Sequence, residues 1–136
     1  MQDRETRPAL HRRTLLIGVG GLTVAAAAAG CGGEEPSTAA AGTALGPTAD
    51  VPVGSGKVYA EQRVVVTQPV QGTFHAFSAV CTHQGCTLQD VSDGTINCAC
   101  HGSRFAIDDG SVSRGPAQEP LARRAVAVEA EWLTLR

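Results

Sequence analysis

The sequence predicts an all-β fold over residues 49–136, a small antiparallel β-sandwich or barrel. From Ala49 onward, short runs of β-prone residues alternate with turn residues. Asp93-Gly94 and Asp109-Gly110 punctuate these runs as hairpin turns do. No stretch of helical length in this part repeats its apolar residues every 3.6 positions, which leaves many short strands as the only regular structure.

In chain order the expected strands are residues 58–60, 63–67 and 73–80, then 95–98 after the first Asp-Gly turn. The run at 104–107 precedes the second Asp-Gly turn, and 124–128 and 132–135 close the chain. His75 alternates with Thr73 and Phe77 along one strand and reads as structural, while Trp132 reads as a core residue. About 88 residues bury only a modest core, and domains of that size usually need a disulfide or a metal as well.

Two segments precede this domain. Residues 1–30 carry Arg4, Arg7, Arg12 and Arg13 and then an uncharged apolar run at 15–29, which is shorter than the ~20 residues of a membrane span but fits an export signal. Arg12-Arg13 directly before the run resembles a twin-arginine signal, a route that carries proteins already folded. Ala28-Ala29-Gly30-Cys31 resembles a bacterial lipobox, which implies lipidation of Cys31 and a mature chain held at the outer face of the cytoplasmic membrane. Residues 31–48 are small, polar and turn-prone, and read as a flexible tether.

Removing residues 1–30 takes away four of the 11 basic residues and two of the 13 acidic ones, so the remainder carries 7 − 11 = −4. With no basic patch and only three Phe, one Tyr and one Trp, the chain is not expected to bind nucleic acid.

The chemistry is concentrated in two boxes, CTHQGC at 81–86 and CACHGSRF at 98–105. They offer Cys81, Cys86, Cys98, Cys100, His83 and His101, six groups where a tetrahedral site needs four. Two disulfides without metal would leave both histidines without a role. A Cys2His2 zinc site has the right count but strands two cysteines. A 2Fe-2S cluster with two Cys on one iron and two His on the other uses all six if the surplus cysteines pair.

Cys-x-His-x-x-Cys, an 11-residue spacer and Cys-x-Cys-His-Gly-Ser together resemble the cluster-binding boxes of the Rieske iron-sulfur family at every position. Residues 50–54 are similar to the family's opening strand and turn, and Gly115-Pro116-Ala117 with Pro120-Leu121 to its proline-bearing loop over the cluster. The resemblance implies an antiparallel domain with a two-loop cluster-binding subdomain and a single 2Fe-2S cluster. It assigns Cys81 and Cys98 to the buried iron, His83 and His101 to the outer iron, and a disulfide to Cys86 and Cys100. That disulfide would close a 15-residue loop, worth about 3 kcal/mol on chain-entropy grounds.

Neutral imidazoles in place of two thiolates raise the cluster potential, and their second nitrogens couple electron to proton transfer. Ser103 matches the family serine that bonds a bridging sulfide. Phe105 stands where quinol-oxidising members carry a tyrosine that bonds a cysteine ligand, which implies a potential between theirs and that of Rieske ferredoxins. Gly85 and Gly102 are expected to serve a left-handed backbone or a close approach to the cluster.

A cluster with all protein ligands in place has no open coordination position, and the chain shows no second cofactor motif. The expected function is therefore electron transfer, as a mobile carrier or the small subunit of a redox complex, with no substrate site of its own. The alternatives are the Rieske subunit of a bc-type quinol oxidase or of an exported molybdenum oxidase, and outside redox chemistry a zinc- or disulfide-stabilised binding module.

Overall fold

The computed structural model describes residues 39–136; the leader at 1–30, Cys31 and the tether as far as residue 38 lie outside the described residues. The described residues form three antiparallel sheets. A terminal sheet has the order β1 (Ala44–Pro47), β11 (Trp132–Leu135), β10 (Val126–Glu129). A central sheet has the order β2 (Ser55–Tyr59), β3 (Val64–Val70), β4 (Thr73–Ser78), β9 (Arg123–Arg124). The third, small sheet runs β5 (Asp90–Ser92), β6 (Thr95–Asn97), β7 (Arg104–Ala106), β8 (Val112–Arg114).

Strand β3 explains how these sheets share a core. Its residues Val64 to Gln68 are all buried, the continuous run expected of a strand covered on both faces. Val64 and Val66 join Val51, Tyr59, Ala76, Leu133 and Leu135 in one apolar cluster beneath the terminal sheet. Val65, one step out of phase, joins Phe77, Leu88, Ile96, Phe105 and Leu121 in a second cluster, which also contains Cys81 and Cys98. Full burial of each large side chain in these clusters contributes about 1.5–3 kcal/mol. Polar stitches lock the small sheet to the central one: Thr67 Oγ1 donates to the Ile107 carbonyl at 2.8 Å, and Ser55 Oγ to the Val91 carbonyl at 3.0 Å.

The sheets correct the sequence reading in four places. The tether at 31–48 ends early, because Ala44–Pro47 forms β1. Its register opposite Thr134, Leu133 and Trp132 of β11 supplies the backbone bonds, so an edge partner rather than an apolar pattern orders it. Residues 50–54 are not a strand; two consecutive turns, Val51 N–H to Thr48 O and Ser55 N–H to Pro52 O, carry the chain into β2. Trp132 is 52% exposed, because Leu133 and Leu135 take the inward positions of the alternating β11. The polar strands β5 and β8 add to the expected set and exist through pairing with β6 and β7. His75 is half-buried on β4, its ring 6.4 Å from that of Phe77.

Candidate metal centre

The two boxes fold into matching loops. In the first, the Gly85 N–H donates to Cys81 O at 2.9 Å and the Cys81 N–H to Cys86 O at 2.7 Å. In the second, the Gly102 N–H donates to Cys98 O at 3.1 Å and the Cys98 N–H to Ser103 O at 2.9 Å. Each loop thus spans six residues with cysteine first and glycine fifth. Gly85 and Gly102 have φ of +76° and +78°, and a Cβ at either would meet no protein atom within 4 Å. The left-handed backbone by itself calls for glycine at both positions.

Cys81 and Cys98 sit at the inner end of these loops, 2% and 3% exposed, and both are free thiols. Burial pushes the Cys81 thiol above its ordinary pKa; the His83 amide donating to its sulfur pulls back, Cys98 beside it pushes up, and a hydrogen bond from Ser103 pulls down. Burial thus disfavours the thiolate until a cation compensates its charge.

Outside the cysteines, His83 and His101 face each other with Nδ1 atoms 3.2 Å apart and rings at 85°. An imidazole nitrogen binds a tetrahedral metal at about 2.0–2.1 Å, which sets two such nitrogens about 3.3–3.4 Å apart. The pair is spaced to share one ion. His101 is exposed and His83 half-buried, so this edge of the site faces outward.

Cys86 and Cys100 form a disulfide across the two loops, Cα to Cα 6.5 Å. Among the described residues, one set of three or more possible ligand atoms lies within 4.8 Å: Cys86, Cys98 and Cys100, two of which the disulfide consumes. The free thiols and the imidazoles therefore form two separate pairs. A mononuclear zinc needs all four donors on one point, whereas a dinuclear cluster takes them two and two. The donor set fits the dinuclear group.

The proline-bearing loop closes the site. Ser103 Oγ, fully buried, accepts from the Ala117 N–H at 3.0 Å, and Thr82 Oγ1 donates to the Glu119 carbonyl at 2.7 Å. Pro116, joined to Gly115 by a cis bond, lines a cleft with Thr82 and His83. Phe105, wholly buried on β7, packs in the same apolar cluster as Cys81 and Cys98. Thr82 is a loop-fastening position that sequence reasoning missed, since a lone threonine inside a box carries no signal of a partner 37 residues away. Cys31 lies outside the described residues.

The family model of the Rieske [2Fe-2S] domain matches residues 43–127. The chain belongs to the Rieske family. Its Rieske domain is of the kind that binds a single 2Fe-2S cluster. The chain is 39% identical over 89 residues to the cytochrome b6-f complex iron-sulfur subunit of Chlorobaculum tepidum, covering 63% of this chain and 48% of the relative. The chain spans about half the length of this relative and of a second cytochrome b6-f complex iron-sulfur subunit, from Chlorobaculum thiosulfatiphilum. Among solved structures, the plasma membrane Rieske protein PetC3 from Synechocystis PCC 6803 is 28% identical with a TM-score of 0.57, covering 69% of this chain and 98% of that one. The ferredoxin of Sphingomonas yanoikuyae B1 is 27% identical with a TM-score of 0.55, covering 69% and 96%.

Proposed function

We propose that this Rieske domain passes single electrons between a donor and an acceptor protein as the small iron-sulfur component of a membrane-associated redox complex. In this reading Cys81 and Cys98 hold the inner iron, and His83 and His101 the outer one. The observation that carries it is the approach of the two Nδ1 atoms at the outward edge, above two buried free thiols. When bound, the cluster supplies one-electron redox chemistry.

The chain's own residues then have distinct tasks. Leu88, Ile96 and Phe105 exclude water from the cysteine side, so the inner iron is insulated. The imidazoles occupy the face a partner can reach, which makes them the route for the electron. The disulfide and the Ser103–Ala117 bond hold the two ligand loops and the proline-bearing loop in one arrangement, which limits reorganisation on electron transfer.

Residues 1–31 support a location at the outer face of the cytoplasmic membrane, with twin-arginine export and a lipid on Cys31. A disulfide suits that oxidising side. Among the described residues no helix is long and apolar enough to cross a membrane. A complex of the cytochrome b6-f type is the favoured partner, since the curated relative with 39% identity bears the name of a cytochrome b6-f complex iron-sulfur subunit.

Metal analysis with a visible spectrum tests the cofactor reading: two irons and two labile sulfides per chain in a coloured protein are expected, and one zinc in a colourless protein would overturn it. Cell fractionation tests the location. Native chain should stay with the membrane and Cys31→Ser should not; equal partitioning of both would remove the anchor.

A further inference from the structure

The outer face of the small sheet carries a transverse row of polar residues in register. Asp90 of β5 pairs with Asn97 of β6, Asn97 with Arg104 of β7, and Arg104 with Arg114 of β8. The inward positions Ile96 and Phe105 are buried, while Arg104 and Arg114 are exposed. Both arginines line one cleft with His101 and Cys98.

Like charges placed directly opposite on adjacent strands destabilise a sheet. Neither arginine has an ion-pair partner among the described residues. The ion pairs among the described residues are Lys57–Asp50 and Arg136–Glu129, and Asp90 is engaged by Ser92 Oγ at 2.7 Å and Asn97 Nδ2 at 3.2 Å. Asp90 lines the same cleft and offsets one of the two charges, so a net positive cleft adjoins one imidazole in a chain whose formal net charge is −2. Across the site, the cleft beside His83 contains Glu119 instead.

We propose that Arg104 and Arg114 form a docking surface for the acidic face of a redox partner protein, seating it against His101. Carboxylates from the partner would relieve the arginine repulsion, and the opposite sign at Glu119 would orient the encounter. The inference rests on the reading that electrons pass through the histidine side.

The test measures binding of a fluorescein-labelled oligoglutamate peptide to the full chain carrying its cluster, by fluorescence anisotropy at low and high salt. Binding by native protein should weaken with salt, fall roughly tenfold in Arg104→Gln/Arg114→Gln, and persist in Arg104→Lys/Arg114→Lys. Lys57→Gln/Arg136→Gln removes the same two charges elsewhere and should bind like native protein. Equal loss in both neutral variants, preference for oligolysine, or binding of hexacyanocobaltate(III) by calorimetry with no peptide binding would each overturn the proposal, the last by revealing a small-anion site. If the double glutamine variant fails to fold, Arg114→Gln on the edge strand replaces it, with a smaller loss expected. A native protein without the visible cluster would instead defeat the electron-transfer reading, an outcome seen before any peptide is added.

Discussion

Ser103 Oγ accepts a 3.0 Å hydrogen bond from the Ala117 amide, which ties the second ligand loop to the proline-bearing loop and leaves the hydroxyl proton to donate to sulfur. The sulfur sees a donor whose position is fixed by backbone, not by solvent.

Ser103→Ala removes that donor from the sulfur side. The reduced, more negative cluster loses more than the oxidised one, so the midpoint potential should fall, by about 40 mV for each kcal/mol of differential stabilisation. It also leaves the Ala117 amide unpaired at a cost of about 1–3 kcal/mol. Redox titration and denaturant unfolding of the same samples read both effects; an unchanged potential would remove Ser103 from the tuning of the cluster.

Phe105→Tyr adds a hydroxyl inside the cluster that holds Cys81 and Cys98. A buried hydroxyl needs a partner, and cysteine sulfur is the acceptor the family uses at this position. The potential should rise by tens of mV. A midpoint that stays put or drops would refute the assignment.

Cys86→Ser/Cys100→Ser opens the 15-residue loop, with a sequence separation of 14 between its ends. The loss should be about 3 kcal/mol, a fall in Tm of more than about 10 °C for a domain of this size. Thermal unfolding followed by loss of visible colour measures it, and an unaltered Tm would mean the loops are held by the cluster alone.

Glycine substitutions separate backbone strain from packing. Gly102→Ala meets no protein atom within 4 Å and should cost about 1–2 kcal/mol from its left-handed φ. Gly110→Ala carries the same φ penalty and drives a methyl to 2.8 Å from the Phe77 ring, so it should cost clearly more. Comparable unfolding midpoints for the two variants would contradict the packing described around Phe77.

The fold class was legible because β-branched runs and Asp-Gly turns are local signals. Strand β1 was not: ALGP has no apolar alternation, and only its distant partner β11 orders it. Trp132 was misplaced because size suggested burial, whereas the phase of Leu133 and Leu135 decides which face of β11 is inside. At the site, residue types and spacing carried the family. Which groups meet depends on the hairpins β3–β4 and β6–β7, which bring loops far apart in sequence to one place, and the Thr82–Glu119 and Ser103–Ala117 bonds follow only from that meeting.

The central claim is two-and-two ligation with His83 and His101 on one iron, and pulsed EPR of the reduced protein labelled with 15N-histidine tests it most directly. Two distinct imidazole nitrogens coupled to the cluster spin are expected, with the signal altered in both His83→Ala and His101→Ala. Coupling to no histidine nitrogen, as for a cluster held by cysteines alone, would contradict the account.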